Sequence, residues 1–89
     1  MKIRYSRRAL SQLASVYEYL QTRNVAAADN VTGSIRSTIA RLREMPLLGK
    51  PTDEGYVHVI IEPEYLYRVL YTVHGQEVFV VRILHGRQR

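Results

Sequence analysis

Between Tyr65 and Leu84 two runs of β-branched and aromatic residues flank a short gap containing glycine. The first run is Tyr65-Leu66-Tyr67-Arg68-Val69-Leu70-Tyr71-Thr72-Val73 and the gap is His74-Gly75-Gln76. The second run is Glu77-Val78-Phe79-Val80-Val81-Arg82-Ile83-Leu84. This pattern predicts a β-hairpin. Its second strand returns His85-Gly86-Arg87-Gln88-Arg89 to the end where the first strand began, so Arg68, His85 and Arg87 are expected near one another. A two-residue turn puts Arg68 on one face with Phe79, Val81, Ile83 and His85, and Arg82 on the other with Tyr67, Val69 and Tyr71. A three-residue turn reverses that assignment. On a shared face, Arg68 and His85 can grip a phosphate and move a proton beside it. The plainer reading of Arg68 is a strand residue paired with Glu62 or Glu64, and that of Arg87 and Arg89 is a basic tail.

The rest of the chain supplies what would hold this hairpin. Lys2-Ile3-Arg4-Tyr5 alternates and predicts a short strand. Ser6 can cap a helix running from Arg7 to Arg23. Its apolar stripe is Leu10, Leu13, Tyr17 and Leu20, widened by Ala9, Ala14 and Val16. Asn24 either closes that helix or caps the next. A second helix is expected from Val25 to Met45 on the stripe Ala28, Val31, Ile35, Ile39 and Leu42, ended by Pro46. So short a connection makes the two helices antiparallel. Small residues Ala26, Gly33, Ser37 and Ala40 allow close packing on the first helix or leave a shallow groove for a partner. Pro46-Leu47-Leu48-Gly49-Lys50-Pro51 reads as a loop. Tyr56–Ile61 reads as a strand whose near-continuous apolar character predicts burial on both faces. Glu62-Pro63-Glu64 turns into the hairpin. The expectation is an α+β domain spanning residues 1–89. An N-terminal strand and an antiparallel helical hairpin pack on an antiparallel sheet of about four strands.

The net charge is +5, and arginine outnumbers lysine 11 to 2. Arginine's planar fork suits phosphate and carboxylate, which points to a nucleic-acid or acidic-protein partner. The absence of cysteine excludes disulfides and thiolate metal sites. His58, His74 and His85 have no metal-ligand spacing, and there is no glycine-rich phosphate loop or nucleophile elbow, so neither cofactor nor metal is expected. With no signal-peptide core and no apolar run of spanning length, a soluble cytoplasmic protein with no membrane partner is expected. His58 reads as structural and His74 as a turn residue. His85 stands among Arg82, Arg87 and Arg89 with no intervening acid.

Together these pieces resemble the RelE/ParE superfamily of toxins from bacterial type II toxin–antitoxin modules. The resemblance rests on Arg4-Tyr5-Ser6, the helical hairpin, Pro46–Pro51, Tyr67-Arg68-Val69-Leu70-Tyr71, and Val81-Arg82-Ile83-Leu84-His85-Gly86-Arg87. It implies one of two activities. RelE-like members cut messenger RNA on the ribosome, using arginines, often lysines, and commonly a tyrosine or histidine near the C-terminus. ParE-like members inhibit DNA gyrase and are not nucleases. The lack of a terminal tyrosine, the two lysines and the ending Leu84-His85-Gly86-Arg87 favour the ParE branch. A nuclease would use Arg68, His85 and Arg87. A gyrase inhibitor would present Arg68, Arg82, His85, Arg87 and Arg89 to its target. The resemblance also implies a cognate antitoxin in a hetero-oligomer, for which Leu13, Tyr17, Gly33, Arg36, Arg41 and Arg43 are the expected contacts.

Overall fold

Ser6 begins the first helix as expected, its Oγ accepting the Ala9 N–H at 2.9 Å. The computed structural model describes residues 1–85. In chain order these form β1 (Lys2–Tyr5), α1 (Arg7–Gln21), α2 (Val25–Ala40) and a 3-10 turn (Arg41–Arg43). They continue as β2 (Lys50–Pro51), β3 (His58–Ile61), β4 (Tyr67–His74) and β5 (Glu77–His85). Asn24 caps α2 rather than closing α1, since its backbone is extended and its side chain accepts the Ala27 N–H at 3.1 Å.

Both helices end earlier than the expected Arg23 and Met45. α1 stops at Gln21, and α2 gives way at Arg41 to the 3-10 turn instead of reaching Met45. Pro46 has no N–H for the Leu42 carbonyl and disfavours a helical Met45, so the last turn tightens. The inward face of α1 is also offset from the expected one. Ala9 and Leu13 are buried, with Val16 and Leu20 packed beside them, while Leu10 is 50% exposed. The stripe of α2 is inward as expected, with Ala28, Val31, Ile35 and Ile39 buried.

The sheet has five strands in the order β1-β5-β4-β3-β2. β1 runs parallel to β5, with Lys2 beside Glu77 and Tyr5 beside Val80, and the other pairs are antiparallel. The sheet is therefore mixed. Its fifth strand is the two-residue β2, which hides within a proline-rich loop and pairs Lys50 with Val59. β3 begins at His58, lies next to the edge and leaves Ile61 47% exposed, so it is not buried on both faces. The helices cover one face, where Leu13, Ile35, Ile39, Leu42, Val69, Tyr71, Val80 and Ile83 form the core. Tyr71 is fully buried, stacks on His58 with ring centroids 5.4 Å apart, and accepts the Gly49 N–H at 2.9 Å.

The hairpin turns on Gly75-Gln76, with Gly75 at φ 57°. Positive φ at the first loop position suits glycine and matches the twist of the strands. Register is regular from His74–Glu77 to Tyr71–Val80, but Leu70 then pairs with Arg82, leaving Val81 as the extra residue of a β-bulge.

Candidate functional site

The bulge sets which side chains meet. After Val81, Arg68 lies opposite Leu84 and Leu70 opposite Arg82, while Tyr67 lies opposite His85. One inserted residue exchanges the faces of everything beyond it. The turn has two residues, yet the expected grouping of Arg68 with His85 fails and Arg68 shares its face with Arg82. The two arginines are diagonal neighbours across β4 and β5, roughly 7–8 Å apart between backbones.

Their face is the one the helices leave open. Arg68 and Arg82 border a depression of about 510 Å³ over Val59, Ile61, Leu70 and Leu84, flanked by Thr52, Asp53 and Glu54. The Arg82 Nε is buried and has no hydrogen-bond partner among the described residues. Toward β1 the same face continues through Phe79, 39% exposed, and an Arg4–Glu77 ion pair at 3.7 Å. Guanidinium groups over an apolar floor can hold carboxylate or phosphate groups of a large partner while covering hydrocarbon.

His85 lies on the helix side. Its ring meets Tyr67 edge-on at 5.0 Å and lines a groove of about 530 Å³ against α1. Arg87 and Arg89 lie outside the described residues.

A further groove of about 510 Å³ runs between α1 and α2, with Leu10, Tyr17, Thr32 and Arg36 on its walls and Leu13, 3% exposed, in its floor. It unites Leu13, Tyr17 and Arg36. The charge of Asp29, helped by its hydrogen bond to Tyr17, raises the Tyr17 pKa. Arg41 and Arg43 stand on the 3-10 turn rather than on a continuous second helix. Arg36 and Arg43 flank Tyr5, whose hydroxyl pKa is raised by burial against their opposing charge. Gly33 does not line this groove, and an added Cβ there would meet nothing within 4 Å. It therefore does not permit close packing on α1.

Two residues organise these surfaces in roles that sequence reasoning did not assign, Glu62 having been read only as a turn residue and a candidate partner of Arg68. Gln12 Oε1 accepts the Ile83 N–H at 2.6 Å. Glu62 is fully buried and accepts the Ser34 hydroxyl at 2.6 Å and the Glu64 and Tyr65 N–H groups at 2.9 Å each. Burial pushes the Glu62 carboxyl up, but these hydrogen bonds outweigh it and hold its pKa below the ordinary value. The turn they brace carries Leu66 at φ 64°. Neither residue belongs to an apolar period, so no pattern marked them.

The family model described as ParE toxin of type II toxin–antitoxin system, parDE, matches residues 3–89. The chain belongs to the ParE toxin family. No curated protein matches the sequence. Among solved structures, the toxin is similar to one from the chromosomal ParDE system of P. aeruginosa, at 18% identity and TM-score 0.86, over 96% of this chain and 95% of that one. It is similar to a chain of the intact E. coli RelBE toxin–antitoxin complex, at 18% identity and TM-score 0.72, over 98% of each. The YoeB/ParE toxin from Agrobacterium tumefaciens gives 18% identity and TM-score 0.68, over 96% of this chain and 98% of that one. At such identity these likenesses establish the RelE/ParE-like fold. No helix among the described residues is long and apolar enough to cross a membrane.

Proposed function

We propose that the toxin acts on DNA gyrase in the cytoplasm and is held silent by a cognate antitoxin. The observation that carries the choice of target is the bulge at Val81. It sends His85 to the helix side and leaves Arg68 and Arg82 together on the open face. The depression they border is lined by no histidine or tyrosine among the described residues. Its titratable groups besides the arginines are the flanking Asp53 and Glu54 carboxylates, and the lack of an imidazole or phenol beside the arginines supports binding over passing a proton to a leaving group. The family match supports the same branch. The groove between α1 and α2 supports a helical antitoxin segment, with Leu10 and Tyr17 as apolar contacts and Arg36 for a carboxylate.

A second reading is ribosome-dependent cleavage of messenger RNA. It is favoured by the placement of Arg68 and Arg82 on one face, where two guanidinium groups can stabilise charge developing on a phosphate. Expression without antitoxin separates the two. Induction of the DNA-damage response with filamentation supports gyrase as target. Prompt loss of translation, with transcripts cut in the ribosomal A site, selects the nuclease.

A further inference from the structure

Among the described residues, Leu66 is the one non-glycine residue at positive φ, at 64°. In this left-handed region Cβ crowds the following carbonyl oxygen, so a leucine there is strained. The turn that imposes the strain joins β3 to β4. The Glu62 N–H donates to the Tyr67 carbonyl at 2.7 Å, and the Leu66 N–H returns to the Glu62 carbonyl at 3.0 Å. Short hairpin loops often close on a left-handed residue, where glycine is the unstrained choice. Here the position holds leucine.

The Glu62 carboxylate keeps the turn in place. It takes the Glu64 and Tyr65 N–H groups and the Ser34 hydroxyl of α2, so the strained residue is fixed from two sides. Burial does not offset the strain, because Leu66 is 55% exposed and lies outside the core cluster. At the other end of the turn Ile61 is 47% exposed and pairs with Arg68. The turn thus sets out two aliphatic side chains at the end of the sheet, next to the depression that Arg68 and Arg82 border. Strained backbone concentrates where it serves a contact or a switch.

We propose that Leu66, with Ile61 beside Arg68, is an apolar anchor of the target-binding face and enters a recess on a protein surface rimmed by carboxylates. An aliphatic side chain neither stacks on a base nor bonds a phosphate. Asp53 and Glu54 flank the depression and Glu64 is exposed in the turn, which opposes a continuous phosphate chain. Arginines beside aliphatic anchors fit a surface with an apolar centre and separate carboxylates. A second copy of this chain carries the same net charge of +5 and would add repulsion. The proposal rests on the gyrase reading above, with a protein surface of gyrase rather than its DNA as the contact.

The test replaces Leu66 by a polar residue that tolerates the left-handed region. Leu66→Asn is expected to melt at or above the wild-type temperature. Growth arrest without antitoxin is expected to need about tenfold more of this variant than of wild type. Leu66→Met keeps the apolar end and is expected to retain arrest. Unchanged arrest in Leu66→Asn overturns the proposal, as does a lower melting temperature, which makes the leucine a residue of the fold. Affinity for the antitoxin is expected to be unchanged, and a matching loss there gives the turn to the antitoxin instead. Two further outcomes also overturn the proposal: a wild-type dimer that Leu66→Asn dissociates, and duplex DNA held by wild type but not by the variant. Supercoiling by purified gyrase separates the anchor from the reading it rests on. If wild type leaves gyrase untouched while Leu66→Asn still loses arrest, gyrase falls as the target and the anchor stands on another protein.

Discussion

The hydroxyl and amide of Ser6 hold three partners at once. Its Oγ accepts the Ala9 N–H and donates to Val81, and its own N–H donates to the Val80 carbonyl at 2.9 Å. One side chain thereby joins the start of α1 to the bulge. Ser6→Ala loses both a helix cap and a hydrogen bond, and is expected to cost about 1–2 kcal/mol by denaturant titration. An unchanged midpoint would show that the cap is redundant. Glu62 makes a pH prediction. Its folded pKa is depressed, so its contribution is present above the unfolded value of about 4.3 and is lost as pH falls through the lower folded value. Stability is expected to fall with acid below about pH 4.3, with a shallower dependence in Glu62→Gln. Equal slopes for both proteins would remove Glu62 as the source. Gly33, with open space where its Cβ would be, is expected to gain about 1 kcal/mol as Ala. A lower melting temperature for Gly33→Ala would contradict this.

At the scale of elements, the strands and helices were legible because the apolar periods of 2 and 3.6 are long and well separated. Ser6 and the hairpin glycine punctuated them. Tyr71, Val69, Ile35 and Ile39 sit in the core that these periods describe. The bulge was not read, although its trace is present. Buried positions in β5 fall at Val78 and Val80 and then shift phase to Ile83. The doublet Val80-Val81 is where the alternation breaks. Missing it misplaced His85, because facing depends on every residue between the turn and the site. The edge strand β2 escaped notice since two residues carry no period. Leu10 and Tyr17 were drawn into the core by a stripe wide enough to serve two surfaces, of which one is the groove toward α2. Gly49 shows how a loop fixes an element. A Cβ there would lie 2.6 Å from the Val59 carbonyl oxygen and 2.7 Å from the Tyr71 hydroxyl. Gly49→Ala is expected to cost about 1–3 kcal/mol through forced displacement of β3 or Tyr71. Thermal melting equal to the wild type would mean that the loop yields freely.

For the whole molecule, charge and shape divide the work between two sides. On the reading proposed above, the grooves of the helix side serve an antitoxin, and Arg68 and Arg82 on the open sheet face serve a target. This division means that the two partners contact different residues, so target binding can be damaged while neutralisation survives. Arg82→Ala is the sharpest probe, because Arg82 borders the open-face depression and its Nε is buried without a partner among the described residues. The decisive measurement is supercoiling of relaxed plasmid by purified gyrase in the presence of the purified toxin. Wild-type chain is expected to inhibit, and Arg82→Ala to need about tenfold more protein for the same effect, as expected for loss of a charge-assisted contact. Undiminished supercoiling at large excess of a folded wild-type chain, with cleavage of ribosome-bound messenger RNA by the same preparation, would contradict gyrase as the target.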